Sequence, residues 1–78
     1  MDDLQRIDDL AKIWAKSFSD VFKDDKQKGP NLTRGKAVKA AVRFAKQDFE
    51  AENRVMTAVQ LKILKTKCEL FFNKFNGA

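Results

Sequence analysis

Apolar positions recur along the first two dozen residues at alternating steps of three and four: Leu4, Ile7, Ala11, Trp14, Phe18 and Val21, with Leu10 and Phe22 widening the stripe. That period belongs to a helix with one buried face. Asp2 and Asp3 sit just ahead of it, where carboxylates suit the partial positive charge of a helix start. The opposite face carries Asp8, Asp9, Lys12, Lys16, Ser19, Asp20 and Lys23. Asp8 and Lys12 stand in the favourable acid-first order at i,i+4, so this face reads as solvated. The pattern breaks at "KDDKQKGPN" (residues 23–31), where Gly29 and Pro30 stop helical hydrogen bonding and the neighbours are polar. This stretch is read as a loop that contains Lys26 and Lys28.

A second periodic segment follows. Thr33 is a good N-cap, with Asn31 as a competitor. Val38, Ala41, Val42, Ala45 and Phe49 then fall in one sector at 100° per residue. No Gly or Pro occurs from Lys36 to Asn76, so a single long helix is conceivable. A break near residue 53 is the preferred reading. Thr57-Ala58-Val59-Gln60 matches a capping box, Met56 and Leu61 occupy the positions of a hydrophobic staple, and Asn53 leaves helical geometry easily. The expected fold is all-α: one small domain of three helices, about 3–23, 34–52 and 58–75, with Gly77 as a final C-cap.

The third segment carries two apolar stripes. Leu61, Leu64, Cys68, Phe71, Phe72 and Phe75 fill one sector and suit the core. Val59, Ile63, Thr66 and Leu70 form another, at heptad-like steps of four, three and four. Either this helix lies deep enough to use both stripes within one chain, or the second stripe is the interface of a homodimer, the commonest oligomer.

Composition narrows the routes to stability. The chain has 78 residues, 44% hydrophobic and 35% charged, which describes one folded domain with a small core. One cysteine and no histidine argue against an internal disulfide and a conventional zinc site, leaving association as the open route. The acidic N-terminus does not resemble a signal peptide, no apolar run reaches membrane-spanning length, and a reducing cytoplasmic location is the default.

Charge is unevenly spread. The net charge is +5, yet residues 1–25 hold seven Asp against four Lys or Arg, and residues 26–47 hold seven Lys or Arg and no acid. Lys36, Lys39, Arg43 and Lys46 line up on the second helix opposite its apolar sector, a row about 15 Å long. Like charges so placed repel one another by a few tenths of a kcal/mol per pair. A polyanion would relieve that cost, and a phosphate backbone is the natural match. Arg34 and Gly35 at the helix start add to the idea. Gln47 is the amide nearest the row, and Lys62 and Lys65 of the third helix are further candidates. The expected ligand is duplex RNA or DNA, contacted at its backbone without sequence reading, because base-reading side chains are few and no helix-turn-helix, homeodomain or zinc-finger pattern occurs. The alternative is a protein-interaction module, an adaptor or inhibitor whose basic face docks an acidic protein or whose spare stripe seizes a partner helix. A plain solvated surface is the blander account of the same charges.

Other residues carry less. Cys68 lies on an apolar stripe without a histidine to activate it. Trp14 reads as core. Phe44 reads as core edge, dimer contact or a wedge against a partner. Asp48, Glu50 and Glu52 show neither metal-loop spacing nor acid–base pairing. Catalysis, a cofactor, a metal and a membrane partner are not expected.

Overall fold

The computed structural model of the chain describes residues 2–28, 32–52 and 55–77. These residues form three helices and no strand: α1 (Asp3–Lys28), α2 (Arg34–Ala51) and α3 (Ala58–Gly77). The side chains of residues 25–28, and Gly29, Pro30, Asn31 and Asn53, on which parts of the loop and break assignments fell, lie outside the described residues.

The contacts give the topology. Arg6 bonds Glu52, Trp14 bonds Asp48 and Phe18 stacks on Phe44, so α1 and α2 run antiparallel. Arg34 of α2 reaches Asn73 of α3, another antiparallel pair. Asp8 meets Lys67 and Lys16 lies over the Phe75 ring, so α1 and α3 are parallel. The bundle is up-down-up.

Alanines allow α1 and α2 to approach closely. Ala11 and Ala15 of α1 and Ala37, Ala41 and Ala45 of α2 are fully buried, and each of these stripes repeats every fourth residue. The bulk of the core comes from Ile7, Leu10, Phe49, Leu64 and Phe72, with Cys68 among them. The apolar sector of α2 and the first stripe of α3 therefore point inward as the periodicity predicts. The start of α3 also follows from the capping chemistry. The Gln60 amide N–H donates to Thr57 Oγ1 at 3.1 Å, and the Thr57 amide N–H donates back to Gln60 Oε1 at 2.9 Å. Met56 is buried in the same cluster that Leu61 packs against. The described residues of this stretch hold two helices, not one.

Several expectations need correction. Helix α1 does not end near residue 23 but runs to Lys28. Asp24 and Asp25 are weak helix formers, but Lys26, Gln27 and Lys28 are good ones and the breakers come only afterwards. Lys26 and Lys28 are thus on a helix rather than in a loop. Helix α2 ends at Ala51, and α3 continues to Gly77 with Lys23 Nζ donating to the Phe75 carbonyl near its end. On α1 the buried sector is rotated from the expected one. Ser19, assigned to the solvated face, is fully buried, whereas Leu4 and Val21, assigned to the core, are about half exposed. Helix α3 packs on the Ala15–Ser19 flank of α1, which a pattern within one helix does not encode. For the same reason Asp8 bonds Lys67 of α3 at 3.0 Å instead of pairing with Lys12.

Candidate nucleic-acid interface

Thr33 starts the helix that carries the cations. Its backbone is extended (φ −88°, ψ 159°), and its hydroxyl accepts from the Lys36 amide N–H at 3.2 Å. The alanine stripe then fixes which side of α2 faces inward, and the basic row faces the other way. Lys36, Lys39 and Arg43 are exposed. Among the described residues, none of the three has a carboxylate within ion-pairing distance. Over this span of about 10 Å no ion pair among the described residues offsets the positive charge, and the nearest groove carboxylate, Glu69, is beside Arg34.

Both ends of the expected row are engaged. Lys46 lies 3.7 Å from Glu50, a side-chain pair about 40% exposed on each partner. Such a pair is screened by water and weakly held. Arg34 is held more firmly. Its Nε donates to Asn73 Oδ1 at 3.1 Å, a second guanidinium nitrogen donates to the same oxygen, Glu69 is 3.8 Å away, and the guanidinium lies 5.7 Å from the centre of the Phe72 ring. Arg34 therefore links the start of α2 to α3 while its side chain stays exposed. Sequence reasoning missed this because the link joins residues 35 or more apart. Arg34 meets Glu69 and Asn73 only once α2 and α3 are antiparallel.

Two shallow grooves flank the row. One, about 330 Å³, is lined by Gly35, Val38, Lys39, Val42, Lys65 and Glu69, so α3 brings Lys65 to the same depression as Lys39. A Cβ at Gly35 would meet no protein atom within 4 Å, which leaves the backbone open there. The other groove, about 260 Å³, is lined by Lys36, Lys39, Ala40, Arg43 and Phe44. Lys39 forms the ridge between them. Gln47 is exposed one turn beyond Arg43. Lys62 is exposed but lines a third groove on the outward side of α3, with Ile63, Thr66, Lys67 and Leu70. The two grooves thus gather Lys36, Lys39, Arg43 and Lys65; Arg34 contacts Glu69 at the edge of the first, and Lys62 lines the third.

Phe44 is core edge. It stacks on Trp14 and Phe18, with ring centres at 5.0 and 5.5 Å, and stays 40% exposed beside Arg43. Trp14 is half-buried and donates its indole N–H to Asp48 Oδ2 at 2.7 Å. Asp48 thereby serves the fold, as does Glu52, which accepts two bonds from Arg6 and holds that guanidinium's pKa above its ordinary value. Cys68 is fully buried, and desolvation pushes its thiol pKa up to about 12. Among the described residues no three His, Cys, Asp or Glu side chains converge on a point where a metal would sit, and no helix is long and apolar enough to cross a membrane. The chain matches no protein-family profile, and no curated protein or solved structure matches it.

Proposed function

We propose that this protein binds the sugar–phosphate backbone of duplex nucleic acid, RNA or DNA, without reading base sequence. Lys36, Lys39 and Arg43 supply the contact from α2, and Lys65 joins them across the groove. The observation that carries the reading is the run of three outward cations with no carboxylate in reach among the described residues. A phosphate backbone lowers the mutual repulsion of that run and releases its own condensed counterions. Lys46 is recruited from its loose contact with Glu50, and Gln47, the amide beside the row, offers little sequence discrimination. The working unit is a homodimer joined through the outward stripe of α3, which doubles the phosphate contacts.

A salt series tests this. Binding of a short duplex, followed by fluorescence anisotropy, should weaken with salt at a log–log slope near −0.9 per neutralised phosphate, or about three to four units per chain. Lys39→Glu with Arg43→Glu should remove binding while the helical circular dichroism is unchanged, because both side chains are exposed. Duplexes that bind no better than millimolar at low salt end the proposal. An acidic protein partner for the same face then becomes the reading to pursue.

A further inference from the structure

The bundle leaves one apolar line of α3 uncovered. Val59 is 69% exposed and Leu70 63%. Thr66 between them is exposed, and only Ile63 packs partly against the core. Ile63, Thr66 and Leu70 floor a shallow groove of about 280 Å³ bordered by Lys62 and Lys67. The steps of four, three and four keep all four residues on one side of the helix, as a helix–helix seam requires.

We propose that the same stripe of a second copy closes this seam, running antiparallel about a two-fold axis. The inference rests on the homodimer named above and adds its direction, register and consequence. In heptad terms Ile63 and Leu70 occupy one seam position, Val59 and Thr66 the other, Lys62 and Glu69 one flank, and Gln60 and Lys67 the opposite flank. An antiparallel seam sets each position of one kind against the other kind. Val59 then faces the partner's Leu70 and Ile63 faces the partner's Thr66, both about a centre between Leu64 and Lys65. The same centre brings Lys62 opposite the partner's Glu69, twice by symmetry, and Gln60 opposite the partner's Lys67. No like charges meet. A parallel seam keeps Glu69 opposite the partner's Lys74, but it sets Lys62 against the partner's Lys67, also twice. Lys67 and Glu69 are each partly offset within their own chain, by Asp8 and Arg34. Lys62, with no ion pair among the described residues, makes the difference, and its charge complementarity selects the antiparallel arrangement.

Symmetry then places the cations. Helix α2 flanks α3 on the side of Lys65, Glu69 and Asn73, and α1 flanks it on the side of Lys67. The two-fold axis of an antiparallel pair is perpendicular to the plane of the two α3 helices, so rotation about it keeps both α2 helices above that plane. Both grooves between Lys39 and Lys65 face the same way. A parallel pair, whose axis runs along the helices, would turn them to opposite faces. Only the antiparallel dimer offers one polyanion two copies of the site on a single side.

Cysteine cross-linking reads out the direction. Val59→Cys and Leu70→Cys are made as separate variants; both positions are exposed, and the buried Cys68 is left in place. The two are tagged to differ in size, mixed at submillimolar concentration and oxidised. The antiparallel register yields the mixed product, in which one variant is joined to the other, in excess. It yields little self-linked protein, since the two copies of position 59 lie about 16 Å apart along the axis and a disulfide spans less than about 7 Å between Cα atoms. Self-linked product in excess overturns the direction while leaving the dimer. If no link forms and the unmodified protein sediments at 8.9 kDa up to that concentration, rather than toward twice that mass, the dimer is overturned as well. Duplex binding by the unmodified chain is measured separately, so its failure would be distinguishable from either outcome.

Discussion

The Ser19 hydroxyl is fully buried, with no hydrogen-bond partner among the described residues. An unmet polar group of this kind costs about 1–3 kcal/mol. Ser19→Ala should therefore raise stability by about 1 kcal/mol, read as a higher urea midpoint with an unchanged slope. Cys68 gives a second prediction at this scale. Its thiol pKa, 9.0 for an ordinary cysteine, rises to about 12 through burial, so the folded state keeps a proton that the unfolded chain gives up. The stabilisation from this group is complete below pH 9 and is lost as pH rises from about 9 to 12. Native protein should resist thiol reagents near pH 8 and react once denatured. The burial of Cys68 was legible from its place in an apolar stripe. That of Ser19 was not, because a small side chain carries little pattern weight and its burial depends on where α3 lands.

At the scale of elements, the junction between α2 and α3 rests on local chemistry. The reciprocal bonds of Thr57 and Gln60 satisfy two amides that the helix start leaves open. Thr57→Ala should cost about 1 kcal/mol, measured by chemical denaturation. The start of α2 at Thr33 and the start of α3 were readable because each is fixed within four residues. The end of α1 was misplaced for the converse reason. Polar residues 24–28 resemble loop by composition, yet Lys26, Gln27 and Lys28 are good helix formers and no breaker comes before Gly29 and Pro30. The row Lys36, Lys39 and Arg43 was equally readable, since periodicity alone decides which residues share a face. Arg34 was not, because its partners lie on another helix.

At the scale of the molecule, the two surfaces bear on separate measurements. Lys62→Glu would set like charges across an antiparallel seam at the partner's Glu69. It should weaken self-association about three- to tenfold in sedimentation equilibrium, with the double swap Lys62→Glu, Glu69→Lys restoring it. A parallel seam would respond in the opposite sense, since Glu at that position would meet the partner's Lys67. The up-down-up path of the chain explains why sequence carried the fold class but not the outward surface. Three amphipathic helices have few ways to hide their apolar faces. Which cations end up sharing a groove depends on the rotation of each helix about its axis, and that is settled by packing. The same packing gives the molecule an optical probe. Trp14 is the sole tryptophan in a chain without tyrosine, and its ring stacks on Phe44, whose neighbour Arg43 lines the basic row. Near-ultraviolet emission therefore originates from a single fluorophore wedged between α1 and α2. A ligand settling over Phe44 should shift or quench that emission without any dye, and separation of the two helices should redden it.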